Sequence, residues 1–262
     1  MQQRFDYLSV EVDHGIAVVR AVDPNDEHLL PKFHPLHREL RDVFPLLAAD
    51  ERVRAVVFAG GKRTFCPFPD LAGLDALLSS RPDAAIQLQR EAREIVANLI
   101  SFDKPLVAGV AVPAVGMGAQ LAFLCDFVVA CRGITFQDTH VRSGLVSGDG
   151  ATVVWPLLLG LARARRYVLR GHPMSAEEAD ELGLVAVLVD APSEVEDAAR
   201  TLAEKLATLP TTAYRLTKQA LNEWLRLGSL VTLDTAAALQ LASYTSPEFL
   251  AARAAARERD PD

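Results

Sequence analysis

The sequence is poor in cysteine, in blocks of like charge and in long apolar runs, and each shortage excludes something. Cys66, Cys125 and Cys131 are the only cysteines in 262 residues. Their odd number and irregular spacing do not form a disulfide framework, and they have no histidine cluster beside them to make a zinc site. No metal is expected. No basic block occurs, and 27 Lys and Arg stand against 34 Asp and Glu, a net charge of −7. A nucleic-acid partner is therefore not expected, because phosphate backbones need a positive surface. The longest apolar runs, such as Leu106 to Val112, are far shorter than a membrane span. The first residues, MQQRFDYLSVEVD, lack a basic-then-apolar leader pattern. Repeats and low-complexity segments are also absent. A cytoplasmic enzyme-sized chain without a membrane partner is the expectation.

What is present is an apolar half of the chain, enough to bury a core without staples. Tyr7 to Val12 and Ile16 to Ala21 are β-rich and flank Asp13-His14-Gly15, which reads as a hairpin. Between Pro31 and Leu47, Leu36, Leu40, Val43, Phe44 and Leu47 are spaced as one helix face. Val53–Phe58, Leu106–Val112 and Phe127–Cys131 read as buried strands, with a long amphipathic helix over Asp83–Ile100. Strands separated by a helix imply a parallel sheet. After Gly150 helices dominate. Ser175 with Glu178 reads as a capping box. Ala213–Leu227 and Leu230–Ala242 read as separate helices, followed by Pro247–Arg259. The reading is α/β, with a core over 1–192 and a helical region over 193–262; Pro210 is a further boundary candidate.

The segment Lys104–Asp126, KPLVAGVAVPAVGMGAQLAFLCD, runs from a strand through Gly116 and Gly118 into a helix. A helix N-terminus offers free N–H groups and partial positive charge, a place to stabilise a negative oxygen. It is not a dinucleotide fingerprint, because Leu121 stands where the third glycine belongs. His140 is a candidate general base. The nine residues after it can return Asp149 to its side, where an aspartate would fix the tautomer. Asp149 in Ser147-Gly148-Asp149-Gly150 is equally a turn residue or a cap for a helix from Ala151.

Together these stretches resemble the enoyl-CoA hydratase/isomerase (crotonase) superfamily. Val53 to Leu71 is similar to its first oxyanion-hole segment, Lys104 to Asp126 to its second, and Phe136 to Trp155 to its catalytic loop. The resemblance implies a crotonase spiral of ββα units with a C-terminal helical trimerisation region, and a homotrimer or dimer of trimers. It implies an acyl-CoA or related carbonyl substrate, with CoA as part of the substrate and no separate cofactor. Two backbone N–H groups would hold the thioester oxygen as an enolate forms. Met117 falls on one donor position. Pro69 falls on the other and has no N–H; losing such a donor costs about 3–4 kcal/mol of transition-state stabilisation. Phe68 replaces a glycine beside it. Gln120 and His140 fall where hydratases carry two glutamates. Gln120 can orient water or substrate but cannot act as a base. Ordinary hydratase activity is therefore expected to be weak. Lys32, Lys62, Phe68, Asp70, Leu71 and Gly116 are the implied substrate-binding positions, with Arg63 another phosphate candidate and Arg253, Arg257 and Arg259 candidates to reach a neighbouring subunit's CoA. A His with an Asp at these places also resembles the β-diketone hydrolases of this fold, which cleave a C–C bond by a retro-Claisen route. A catalytically silent acyl-CoA-binding subunit is the third expectation.

Overall fold

The structure is a computed structural model, and it describes residues 5–22, 33–66, 71–80 and 82–259. The chain opens with β1 (Leu8–Asp13) and β2 (Ile16–Ala21), paired antiparallel with Val10 opposite Val19. The joining residues His14 and Gly15 have φ of 46° and 84°. That left-handed pair gives the turn the twist a tight hairpin needs. Helix α1 (Phe33–Ala49) buries the expected face, Leu36, Leu40, Val43, Phe44 and Leu47. Next come β3 (Ala55–Gly60), α2 (Leu71–Ser80), α3 (Ala84–Ser101) and β4 (Leu106–Val110). A short β5 (Ala114–Val115) leads into α4 (Met117–Leu124), then β6 (Phe127–Cys131) and β7 (Thr135–Gln137). The chain continues as α5 (Ala151–Leu159), α6 (Leu161–Val168), β8 (Met174–Ser175), α7 (Ala176–Glu181) and β9 (Val187–Val189). It ends with α8 (Val195–Ala207), α9 (Thr211–Ser243) and α10 (Pro247–Arg259).

Six strands form one sheet in the order β1-β2-β3-β4-β6-β9, parallel from β2 onward. A second sheet, β5-β7-β8, stands apart from it. Parallel strands covered on both faces read as continuous apolar runs, and every residue of β4 is buried. Helix α8 packs against the main sheet over Gly109. A Cβ there would lie 3.4 Å from Ala199 Cβ and 3.5 Å from Val195 Cγ1. Small residues on both sides let the helix lie near the strand. Phe44 packs edge-on to Phe58 and Phe102, and Trp155 stacks on Tyr167 and meets Phe123 edge-on. Trp155 is thus a packing residue, whereas Trp224 is 67% exposed.

Two expectations about helices are corrected. The helices expected on either side of Gly228 are one helix, α9, of 33 residues. Gly228 does not break it, because it is the crossing point with α5. A Cβ there would come 2.9 Å from Leu157 Cδ1 and 3.2 Å from Val153 Cγ1. The close approach offsets the roughly 1 kcal/mol that glycine costs inside a helix. The capping box at Ser175 is only half made. Ser175 Oγ accepts from Glu178 N at 3.0 Å, but the Glu178 carboxylate turns away to accept from Tyr167 Oη at 2.6 Å.

Helix α9 is fastened to the core near its start. Lys218 Nζ, buried, donates to Lys104 O and to Asp126 Oδ2, both at 2.8 Å. Asp126 Oδ2 also accepts from Tyr214 Oη at 3.0 Å and from Leu106 N at 2.9 Å. One carboxylate thus joins the starts of β4 and β6 to α9. Lys104 Nζ donates to Leu47 O and Asp50 O at the end of α1. A cation there suits the negative end of the helix dipole. The docking of α8 sets a test. Ala199→Leu overfills the contact with Gly109 and lowers stability by about 1–3 kcal/mol in urea unfolding; an unchanged midpoint would show that α8 does not bear on the sheet.

Candidate active site

Strand β5 delivers the chain to Gly116, whose φ of 57° and ψ of −130° favour a residue without a side chain. Gly116 N donates to Gln137 O at 2.8 Å, which ties this turn to the end of β7. Met117 then begins α4, so its N–H is among the first-turn donors that have no acceptor within the helix. All eight residues of α4 are buried. The loop after β3 meets this helix start. A Cβ on Gly118 would lie 3.3 Å from Cys66 Cβ and 3.5 Å from Cys66 N. The two segments expected to flank a carbonyl oxygen therefore do meet, up to Cys66.

Beyond β7 the chain enters Asp138, His140 and a 3₁₀ turn over Val141–Ser143. Two left-handed glycines, Gly144 and Gly150, at φ 77° and 113°, bend the loop back toward α4 before α5 begins. The result is a compact polar cluster. His140 Nε2 lies 3.3 Å from Asp149 Oδ2. Its Nδ1 lies 3.2 Å from both carboxylate oxygens of Asp138. Gln120 Nε2 donates to Asp138 Oδ2 at 2.9 Å and to Asp149 Oδ1 at 3.2 Å. Ser147 Oγ donates to Asp138 Oδ1 at 2.8 Å, and His140 N donates to the same oxygen at 3.1 Å. The cluster adjoins the helix start: a Cβ on Gly116 would lie 3.8 Å from His140 Cε1.

The electrostatics follow from burial. Asp138 is fully buried, Asp149 is 6% exposed and the His140 side chain 13%. Burial alone would strip His140 of its proton, but Asp149 and Asp138 outweigh it and hold the imidazole well above its ordinary value. Burial alone would likewise raise Asp138, but the charge and hydrogen bonds of His140, with the Ser147 hydroxyl, hold it below the usual carboxylate range. The two carboxylates therefore favour the protonated ring, in which both nitrogens donate. A raised histidine stabilises the fold below its unfolded value and loses that contribution as pH climbs through its folded value. A lowered carboxylate stabilises above its unfolded value and fails as pH falls through its folded value. The Asp138–His140 pair thus holds from below the usual carboxylate range to well above ordinary histidine.

The sequence expectation brings His140, Asp149 and Gln120 together, with Gly116 and Met117 alongside. Asp149 is not the cap of α5; Gly150 occupies that position and no side chain caps it. Gln120 holds the two carboxylates through its N–H₂, while its Oε1 is buried without a hydrogen-bond partner. Asp138 escapes the sequence reading, although an aspartate two residues before a histidine at a strand end is a pattern that folds back on its own backbone. Lys62 and Arg63 are exposed on the loop after β3. Lys32, Phe68, Pro69 and Asp70 lie outside the described residues, as do the side chains of Leu71, Arg257 and Arg259. Arg253 makes contacts within the chain. Its Nε donates to Asp75 Oδ1, its Nη2 reaches Ser79 Oγ at 3.2 Å, and its guanidinium lies over Phe249. Cys66 is buried, which pushes its thiol well up, away from nucleophilic use. Asp138, His140 and Asp149 bring ligand-capable atoms within 4.8 Å of one another. The Gln120 and Ser147 donors already rest on the carboxylate oxygens, so the set is wired as a hydrogen-bond network.

Residues 11–249 match the family model described as enoyl-CoA hydratase/isomerase. The chain belongs to that family. Among relatives, it is 31% identical over 231 residues to the 1,2-epoxyphenylacetyl-CoA isomerase of Escherichia coli, covering 88% of this chain and 86% of that one. An enoyl-CoA hydratase/isomerase structure from Mycobacterium paratuberculosis superposes with a TM-score of 0.87 at 32% identity, covering 95% of this chain and 98% of that one. A β-diketone hydrolase from Anabaena sp. PCC 7120, bound to (S)-3-oxocyclohexyl acetic acid, superposes with a TM-score of 0.80 at 26% identity, covering 92% and 95%. The fold is that of the crotonases, with a mixed α/β core of ββα units and C-terminal helices.

For this family member, NMR of the His140 ring should show an imidazolium throughout the neutral range. Asp138→Asn should bring its titration down toward ordinary histidine. Asp138→Ala leaves a buried charge short of a partner and should destabilise by about 3–5 kcal/mol. A neutral His140 ring at pH 7 in the unaltered protein would overturn this account.

Proposed function

We propose that the chain is an acyl-CoA isomerase or lyase that works by enolising a thioester, with Asp149 as the base and His140 as the acid. The observation that carries the reading is the Asp138–His140–Asp149 row beside the start of α4. An imidazolium cannot accept a proton, so proton removal falls to the Asp149 carboxylate. Asp149 takes the proton from the carbon next to the carbonyl. The C–H electrons move into the C–C bond and the carbonyl electrons onto oxygen, where the Met117 N–H meets the negative charge. His140 then returns a proton through Nε2, and Asp138 stabilises the row as charge moves.

Ordinary hydration remains weak on this reading, because Gln120 replaces a carboxyl group that would position and deprotonate water. A C–C hydrolase is the second reading, favoured by the likeness to the Anabaena β-diketone hydrolase. The free, buried thiols support a reducing, cytoplasmic compartment. Assembly as a trimer or dimer of trimers is part of the proposal. Helix α9 exposes Leu216, Leu221, Trp224, Leu227, Leu230 and Val231, and such an apolar strip is what a subunit interface would cover.

Butyryl-CoA incubated in D₂O tests the enolisation directly. The protein should exchange the protons next to the carbonyl, and Asp149→Asn should slow exchange by about 10²–10⁴-fold. Crotonyl-CoA hydration should stay well under the ~10 s⁻¹ of a typical enzyme. Cyclohexane-dione cleavage without thioester exchange would establish the second reading instead.

A further inference from the structure

The turn that carries Asp149 is held from outside by the C-terminal helices. Gly148 N donates to Gln240 Oε1 at 2.9 Å. Two residues back along the chain, Val146 N donates to Ser243 Oγ at 3.2 Å. Gly144 O accepts from Ser246 Oγ at 3.5 Å. Alternate residues of the loop thus meet Gln240 and Ser243 at the end of α9 and Ser246 in the turn that follows it. The fit is close. A Cβ on Gly148 would stand 2.3 Å from Gln240 Oε1 and 2.8 Å from Ala236 O, and one on Gly144 would stand 2.8 Å from Phe249 N. Gln240 is 4% exposed, and its Oε1 contact to Gly148 is immediately before Asp149.

We propose that Gln240 is a positioning residue for Asp149, fixing through the Gly148 N–H the distance between the Asp149 carboxylate and His140. Its catalytic consequence rests on the role proposed above for Asp149; its structural consequence does not. A peptide held at 2.9 Å restricts the turn to the arrangement in which Asp149 Oδ2 lies 3.3 Å from His140 Nε2. Without the Gln240 acceptor, the buried Gly148 N–H seeks water or the Asp149 carboxylate itself, and either draws the turn away from His140.

Two substitutions separate the acceptor from the bulk. Gln240→Met keeps the length of the side chain and loses the oxygen. Gln240→Glu keeps an oxygen for the Gly148 N–H. Two readouts are taken on the full chain, the titration of the His140 ring by NMR without substrate, and kcat and KM for exchange of butyryl-CoA protons in D₂O. The titratable groups facing Asp149 are His140, Asp138 and the Tyr244 phenol. Burial, with the Asp149 charge adding to it, pushes that phenol up to about 12, so it does not titrate in the range measured. Gln240→Met should move the His140 titration toward ordinary histidine and lower kcat about tenfold at unchanged KM. Gln240→Glu should restore both toward the unaltered protein. If Gln240→Met does not fold, Ser243→Ala removes the neighbouring bond and should shift the His140 titration in the same direction by less. A His140 titration unmoved by whichever variant folds overturns the proposal. A shifted titration in a protein that exchanges no butyryl-CoA protons even when unaltered leaves the positioning role standing and removes the enolisation reading alone.

Discussion

A positive charge taken out of water must be answered by fixed partners, and the His140 imidazolium is answered twice, by Asp138 on one nitrogen and Asp149 on the other. Two carboxylates around one cation leave the group with an excess negative charge. Gln120, Ser147 and the His140 backbone N–H spread that excess over four further hydrogen bonds. Much of the local architecture follows from this demand. Gln120 sits on a helix buried along its whole length, where it cannot turn to solvent. The loop bends at two left-handed glycines because it must return Asp149 to the histidine that precedes it. Asp138 is fixed by the end of β7, whose pairing with β5 also sets the Gly116 turn. The charge and the expected oxyanion donor are thus placed by the same short sheet.

The arrangement also bears on how one fold can carry different chemistry. A hydratase needs two carboxyl groups about a water. At the two positions where the resemblance would place them, this chain has the amide Gln120 and the ring of His140, and Asp149 supplies a carboxylate beside that ring. The proton acceptor proposed above lies further along the loop, beside the helix N-terminus proposed to meet the carbonyl oxygen. The relatives and structural neighbours of the chain are named as isomerases, hydratases and a hydrolase.

Much of the fold was legible because it rests on local pattern. The α1 face, the hairpin around His14-Gly15 and the apolar strands announce themselves by periodicity and turn composition. The His140–Asp149 pair was legible from family position and loop length. Four things were not, each for a tertiary reason. Gly228 looks like a helix break because nothing in the sequence reveals that α5 crosses there. Glu178 looks like a capping partner because its competing contact, Tyr167, comes from another helix. Asp138 looks like a strand-end residue until the loop folds back and presents it to the ring of His140. Gln240 lies 92 residues after the peptide it holds, so no local signal connects them.

Helix α9 is a rod of 33 residues, about 50 Å at 1.5 Å per residue. One end is anchored to the sheet by Lys218 on Asp126, and the other grips the loop of the polar cluster through Gln240 and Ser243. Between them lies the exposed apolar strip. A stiff rod pinned at both ends transmits tilt rather than absorbing it. In the assembly proposed above, a partner covering the strip would bear on the attitude of the helix against the Asp149 turn, and so on the mounting of a single carboxylate.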